Sequence, residues 1–235
     1  MSQSSHEFLA TLSRIASALE RIAPPAREKP DFSRNVAARW RVSGTLKYLE
    51  AVQHVHHMNA DSLVGVEAQH ALIDRNTKQF VTGKAANNVL LTGSRGTGKS
   101  SLVKAMLSRY SKRGLRLIEV EKDHLNDMPD IVDLIANEPY QFILFCDDLS
   151  FDAGDGSYKA LKAILDGSIA AATPNVLLYA TSNRRHLLPE YFHENEETKY
   201  VGEEVHFGES IEEKVSLSER FGLWISFYPF AQDDY

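Results

Sequence analysis

The sequence predicts an α/β fold, a three-layer sandwich with a mainly parallel five-stranded sheet, preceded by an N-terminal helical segment. Apolar runs of strand length alternate with segments whose apolar residues recur at helical spacing, which is typical of strands joined by crossover helices. In addition, a glycine-rich loop directly follows one predicted strand and opens a predicted helix. With 235 residues, of which 43% are hydrophobic, the chain is long enough to bury a large core. No apolar run reaches the length of a membrane-spanning helix.

The N-terminal part is predicted to be helical. Residues 6–22 repeat apolar side chains at helical spacing, and Pro24 and Pro25 end that pattern. Residues 33–60 are predicted to form helix as well, with five apolar candidates for burial, Trp40, Val42, Leu46, Leu49 and Val52. We therefore divide the chain into an N-terminal helical region, residues 1–60, and an α/β core, residues 61–235.

Five segments of the core are predicted strands, and helical patterns separate them. The strands are residues 89–91, 115–120, 141–146, 175–182 and 223–230, and the helical patterns include residues 68–80, 102–110 and 157–170. Parallel strands need such crossover connections, so most of the sheet is expected to be parallel. Five successive apolar residues, 142–146, indicate a central strand that is buried on both faces.

A glycine-rich loop follows the first core strand and has the spacing Gly-x-x-x-x-Gly-Lys-Ser. It comprises Gly93, Ser94, Arg95, Gly96, Thr97, Gly98, Lys99, Ser100 and Ser101. Glycines let backbone N–H groups curl round an anion, and the N-terminus of the following helix adds partial positive charge. Lys99 is expected to reach the β- and γ-phosphates, and the Ser100 hydroxyl to bind Mg²⁺. A glycine-rich turn with a chance lysine is the alternative, but the strand–loop–helix context favours a P-loop fold that binds a nucleoside triphosphate.

Two carboxylates end the most apolar strand. Asp147 and Asp148 follow residues 141–146, at the edge of the sheet where open α/β folds bind their ligands. Asp147 is the candidate acid that organises Mg²⁺, and Asp148 is the candidate general base for an attacking water. The alternative is an ordinary strand end with capping aspartates.

Other features limit the classes of function. The four residues 54–57 include three histidines, but no Cys, Asp or Glu with ligand spacing stands near them, so no metal site is predicted there. Cys146 is the only cysteine, which excludes an internal disulfide and favours a cytoplasmic location. The net charge of −6 includes no broad basic stripe, so nucleic-acid binding is not indicated.

Four strings together resemble the AAA+ ATPases, and most closely an uncharacterised bacterial family described only as a domain of unknown function with an ATP-binding core. The resemblance covers residues 61–235. The strings are residues 93–101 (GSRGTGKSS), 145–151 (FCDDLSF), 179–187 (YATSNRRHL) and 218–223 (SERFGL). It implies binding of ATP with Mg²⁺.

The resemblance also implies individual roles. In such proteins the adenine is bound by the segment that corresponds to Leu63, Val64 and Gly65. A polar "sensor" residue, which orients the attacking water, corresponds to Asn183. Arg220 matches the arginine finger that acts on the nucleotide of a neighbouring subunit, which implies a homo-oligomeric ring.

The sequence departs from the AAA+ pattern at two points. Asp148 stands where most AAA+ proteins carry glutamate, so hydrolysis is expected to be slow. Only fifteen residues follow Arg220, so the helical lid of AAA+ proteins is expected to be absent; formation of the ring depends on such a lid.

The predicted function is Mg²⁺-dependent ATP hydrolysis coupled to remodelling of an unknown macromolecule. The alternative is an ATP-gated binding switch or scaffold with negligible turnover. A small-molecule kinase is less consistent with the paired aspartates and with the Arg220 string. A dinucleotide oxidoreductase would need Gly-x-Gly-x-x-Gly spacing, and a GTPase would need an Asn-Lys-x-Asp string, which the sequence lacks.

Overall fold

The computed structural model describes residues 3–22, 28–55, 58, 63–151, 157–165, 173–184, 187, 199–201, 204–206, 217–218 and 220–228. In these ranges it has five α-helices and nine β-strands. The helices are α1 (Gln3–Ile22), α2 (Glu67–Val81), α3 (Lys99–Tyr110), α4 (Met128–Ile135) and α5 (Ser157–Leu165). The strands are β1 (Ala37–Ser43), β2 (Leu46–Ala51), β3 (Val89–Gly93), β4 (Leu115–Glu119), β5 (Gln141–Cys146), β6 (Val176–Ser182), β7 (Lys199–Val201), β8 (Glu204–His206) and β9 (Leu223–Phe227).

Seven of the strands form one sheet in the order β2-β1-β4-β5-β6-β3-β9, and β7 pairs with β8 separately. In the large sheet, β1 and β2 are antiparallel. All the other pairs of neighbouring strands in this sheet are parallel. The predicted α/β class and the parallel arrangement of the five core strands are therefore confirmed. The carboxyl ends of these five strands share one edge of the sheet.

The expectation of helix over residues 33–60 was wrong. Residues 37–51 form the hairpin of β1 and β2, which turns at Gly44 with φ +62°. Apolar and charged residues alternate along β1, so that Ala38 and Trp40 are buried while Arg39 pairs with Glu119 of β4. This period of two is the strand pattern, and pairing with β4 stabilises it. The hairpin therefore extends the core sheet from the N-terminal side of the boundary placed at residue 60.

The other predicted elements agree with the structure where it describes them. The helix expected over 6–22 is α1, and the helix expected over 68–80 is α2. The predicted helix 157–170 is described up to Leu165, and the predicted strand 223–230 up to Phe227. The remaining residues of those two predictions, apart from Tyr228, lie outside the described part of the chain.

Helices cover both faces of the sheet, as a three-layer sandwich requires. Strand β3 alternates between the faces, with Val89 and Leu91 on one side and Leu90 on the other. The first side is covered by α2 and α3, through residues such as Ile73 and Met106. The second side is covered by α4 and α5, through residues such as Ile131 and Leu161. No helix in the described ranges is long and apolar enough to cross a membrane.

Candidate nucleotide-binding site

The glycine-rich loop connects the end of β3 to the start of α3, as the sequence predicts. Gly96 and Gly98 have φ values of +84° and +87°, in the left-handed region that favours glycine, and Gly98 is the N-cap of α3. The hydroxyl of Thr97 donates a 2.8 Å hydrogen bond to the carbonyl of Ser94 and closes the turn. The tip of the loop, from Ser94 to Gly96, is exposed. The loop therefore presents its backbone to solvent at the N-terminus of a helix.

Gly93 is required by a close approach of two strands. A Cβ atom at this position would lie 2.1 Å from the carbonyl oxygen of Phe227 in β9. No side chain can be accommodated there, because the obstacle is backbone. The first glycine of the motif therefore allows β9 to pair alongside the start of the glycine-rich loop.

Lys99 turns its ammonium group back over the loop. Its Nζ donates to the carbonyl oxygens of Gly93 and Ser94, each at 2.7 Å, and to Oδ1 of Asn183 at 3.0 Å. Burial lowers the pKa of the Lys99 ammonium from its ordinary value, and the nearby carboxylates of Asp148 and Asp147 oppose that shift. Lys99 is therefore a buried cation whose charged end lies at the mouth of the loop.

Asp147 is held by two hydroxyl groups. Ser100 Oγ donates to Asp147 Oδ1 at 2.5 Å, and Thr181 Oγ1 donates to the same oxygen at 2.6 Å. The structure thus brings together Ser100 and Asp147, the two residues predicted to bind the metal, although they are 47 positions apart.

Asp148 has an unusual backbone conformation. Its φ of +54° is the only positive φ of a non-glycine residue in the described part of the chain. Asp is among the few residues that tolerate this region. Its backbone N–H donates to Thr181 Oγ1 at 2.9 Å, and its Oδ1 accepts from Asn183 Nδ2 at 2.5 Å. Both the backbone and the carboxylate of Asp148 are therefore held in place.

Asn183 links Lys99 to Asp148. The amide oxygen accepts from the Lys99 ammonium and the amide nitrogen donates to the Asp148 carboxylate. Only this orientation satisfies both neighbours, because an ammonium group only donates and a carboxylate only accepts. Three residues predicted to act on the same phosphate group thus form one hydrogen-bonded chain.

The segment predicted to cup adenine lies beside the loop. A Cβ atom on Gly98 would be 3.9 Å from Leu63 Cδ2. Val64 is 75% exposed, and the backbone N–H of Gly65, which has φ +76°, donates to Glu67 at 3.1 Å. Leu63 thus lies next to the glycine-rich loop, and the apolar side chain of Val64, its neighbour in the chain, is exposed.

Arg220 is the predicted site residue that the structure does not bring to the loop. It precedes β9, at the amino ends of the parallel strands, whereas the loop follows their carboxyl ends. Four rises of about 3.3 Å separate the first and last residues of β9, so the sheet alone places roughly 13 Å between the two edges. Arg220 instead lines a cavity of about 310 Å³ with Asn87, Asn88, Leu178 and Gly222.

Thr181 is a site residue that the sequence reasoning did not identify. Its hydroxyl contacts both Asp147 and Asp148. One signal was available: Thr181 stands two residues before Asn183, and side chains two apart in a strand point to the same face. The register of β5 with β6, in which Cys146 pairs with Ala180, was needed to place Thr181 opposite Asp147.

The chain matches a known family model over most of its length. Residues 33–235 match a family model described as "Protein of unknown function (DUF815)". This confirms the predicted relationship to a family of unknown function. No curated protein matches the chain.

Several solved structures are similar in fold. The Aeropyrum pernix Orc1 protein in complex with DNA is similar over 72% of this chain, with 16% identity and a TM-score of 0.49. DnaI is similar over 77%, with 19% identity and a TM-score of 0.46. C. elegans PCH-2 is similar over 68%, with 18% identity and a TM-score of 0.43. The matches cover 47% of the Orc1 chain, 92% of the DnaI chain and 41% of the PCH-2 chain. This chain therefore spans about half the length of Orc1. Similarity at this level carries no functional information about this chain.

Proposed function

The chain belongs to the DUF815 family of proteins of unknown function. From the geometry around the glycine-rich loop we propose that it is an AAA+-type protein that binds ATP with Mg²⁺ and hydrolyses the ATP. One observation carries the proposal: Asn183 joins Lys99, which lies on the loop, to Asp148, which ends a neighbouring strand. Hydrolysis is coupled to remodelling of a macromolecule. The single cysteine, Cys146, which is buried, supports a cytoplasmic location.

The glycine-rich loop and Lys99 bind the phosphates. The N–H groups of the loop and of the first turn of α3 favour an anion. The Lys99 ammonium now bonds to the carbonyls of Gly93 and Ser94. On nucleotide binding it exchanges these acceptors for phosphate oxygens, which are stronger partners because they are charged. Leu63, Val64 and Gly65 contact the adenine.

The donor set fits Mg²⁺. Ser100 and Asp147 offer a hydroxyl and a carboxylate oxygen within hydrogen-bond distance of each other, and Mg²⁺ prefers such hard oxygen ligands together with substrate phosphates and water. No cluster of three or more His, Cys, Asp or Glu residues that could hold a metal occurs within the described ranges. Ser100 and Asp147 would hold the ion, which would supply positive charge to stabilise the phosphate groups.

Asp148 and Asn183 act on the attacking water. The Asp148 carboxylate is exposed at the edge of the sheet, and one of its oxygens is bound by Asn183. The other oxygen accepts the proton of the water as the water attacks the γ-phosphate. Asn183 fixes the direction of that oxygen.

Arg220 acts between subunits. Its place at the opposite edge of the sheet from the loop supports a role on the nucleotide of a second copy of the chain. An arginine supplied in this way stabilises the charge that develops in the transition state. The proposed active form, in which a helical lid is present, is therefore a homo-oligomer with ATP at the interface.

The proposal is tested by measuring ATP binding and phosphate release together. We expect the wild-type chain to bind ATP in the presence of Mg²⁺ and Lys99→Ala to lose binding. Phosphate release above that of Asp148→Asn supports hydrolysis. ATP binding that is unchanged in Lys99→Ala refutes the site.

A switch with negligible turnover is the second candidate. The observation that favours it is Asp148 itself, a short carboxylate held at φ +54° and bound by Asn183. In that case ATP binds, but phosphate release is no faster than in the Asp148→Asn chain at high protein concentration.

A further inference from the structure

We propose that Thr181 is a positioning residue whose single hydroxyl holds the carboxylate of Asp147 and the backbone of Asp148 in their working positions. The inference rests on the proposed function, because it concerns the Mg²⁺ and water positions of the same site. It assigns a role to a residue that stands outside the phosphate loop and outside the aspartate pair.

The hydroxyl of Thr181 makes two bonds whose directions are fixed by chemistry. A hydroxyl has one hydrogen to donate and can accept through its lone pairs. Thr181 Oγ1 donates to Asp147 Oδ1 at 2.6 Å and accepts from the Asp148 N–H at 2.9 Å. An N–H group cannot accept and an ionised carboxylate cannot donate, so neither bond can be reversed. One oxygen atom therefore sets the relation between two successive residues.

Burial makes this oxygen difficult to replace. Thr181 is 1% exposed, and its carbonyl also accepts a 2.7 Å hydrogen bond from the N–H of Leu149. Strand β6 thus anchors the turn after β5 at three points. Water has little access to the position of the hydroxyl, so a lost hydroxyl leaves the N–H of Asp148 without its partner.

The two bonds have different consequences. Thr181 and Ser100 both donate to Oδ1 of Asp147, and together the two donors hold that oxygen in position. The other carboxylate oxygen of Asp147, Oδ2, accepts a hydrogen bond from neither of these two hydroxyl groups. The bond to Asp148 acts on the backbone and supports the left-handed φ of +54°, whereas Asn183 holds the carboxylate of the same residue. Thr181 therefore influences Mg²⁺ binding through Asp147 and turnover through Asp148.

Two substitutions separate the hydroxyl from the rest of the side chain. Thr181→Val removes the hydroxyl at nearly constant volume, and Thr181→Ser keeps the hydroxyl and removes a methyl group. Partners that orient a metal ligand typically change metal affinity or activity by about 10- to 100-fold when they are lost. We expect Thr181→Val to need about 10-fold more Mg²⁺ for ATP binding and to lose at least about 10-fold in kcat. Thr181→Ser should stay within about threefold of wild type in both.

The affinity for ATP without Mg²⁺ distinguishes positioning from a general structural effect. The loop and Lys99 contribute that affinity, and Thr181 contacts neither in the hydrogen bonds described above. The affinity for ATP without Mg²⁺ should therefore be unchanged in Thr181→Val. Equal losses in the Val and Ser variants, or a loss of Mg²⁺-free ATP binding in Thr181→Val, overturn the proposal, as does a Thr181→Val chain with wild-type Mg²⁺ dependence and kcat.

Amide hydrogen exchange at residues 147–149 tests the same geometry without any activity. Thr181→Val should raise exchange at Asp148 by at least about 10-fold, since its hydrogen-bond acceptor is gone, and Thr181→Ser should not. Unchanged exchange in Thr181→Val overturns the positioning role. Failure of the proposed function is recognised separately, by a wild-type chain that binds no ATP.

Discussion

The side-chain amide of Asn183 donates a 2.5 Å hydrogen bond to Asp148. The two residues follow the ends of neighbouring parallel strands, β6 and β5, and are 35 positions apart in the chain. The oxygen of the same amide accepts from Lys99, so that one side chain connects the residue proposed to bind phosphate to the residue proposed to activate water.

Replacing Lys99 should abolish ATP binding. We expect Lys99→Ala to weaken ATP binding by at least about 100-fold, because the charged hydrogen bonds to the phosphates are lost. Isothermal titration with ATP and Mg²⁺ measures the effect. Lys84→Ala is the matched control, since Lys84 is exposed and lies before β3. Similar affinity in the Lys99 and Lys84 variants would contradict the assignment.

Replacing Asp148 should separate binding from turnover. Asp148→Asn keeps the size of the side chain and can still bond to Asn183, but it removes the base. We expect ATP affinity within about threefold of wild type and a loss of phosphate release of about 100-fold or more, the usual contribution of a general base. Steady-state phosphate release at saturating ATP measures it. A variant that hydrolyses ATP at the wild-type rate would exclude Asp148 as the base.

Gly93 should tolerate no side chain. In Gly93→Ala the new Cβ would meet the Phe227 carbonyl oxygen at 2.1 Å, so we expect a loss of unfolding free energy of about 3 kcal/mol or more, or failure to fold. Gly83→Ala is the control: Gly83 also has positive φ, at +71°, but its Cβ would meet nothing within 4 Å. That variant should lose only about 1–2 kcal/mol, the cost of the left-handed conformation alone. Chemical denaturation compares the two, and equal losses would show that the close approach to β9 is unimportant.

Arg220 should act on a second copy of the chain. We expect Arg220→Ala to bind ATP normally and to lose about 10³-fold in phosphate release, as fingers do where measured. Mixing Arg220→Ala chains with Asp148→Asn chains should restore part of the activity, because some interfaces then combine an intact finger with an intact base.

The control for the mixing experiment is each variant alone at the same total concentration. Arg34→Ala, at a surface residue whose side chain is 86% exposed, should behave as wild type. Absence of any recovery in the mixture, with both variants shown to associate, would rule out a finger shared between subunits.

The sequence was most informative where the chemistry is local. The motif of nine residues from Gly93 to Ser101 could be recognised from the sequence, because the loop and the helix that follows it are formed by residues adjacent in the chain. The strands of the parallel core were also predictable, since burial on both faces requires continuous apolar runs such as residues 142–146. The hairpin of residues 37–51 was missed although its first strand carries a short alternating pattern. Its pairing with β4 and its ion pairs, such as Arg39 with Glu119, join residues distant in sequence and cannot be recognised locally.

The strand–loop–helix around Lys99, the aspartates after β5 and the asparagine after β6 could all be predicted from the sequence. How these residues meet depends on the tertiary structure. The order β5-β6-β3 places Asn183 between Lys99 and Asp148, and the register of β5 with β6 makes Thr181 the partner of both aspartates. The same parallel strands put Arg220 at the far edge of the sheet. The physical reason is that hydrogen bonds between strands distant in sequence set strand order and register, and a one-residue change of register would turn each of these side chains to the other face.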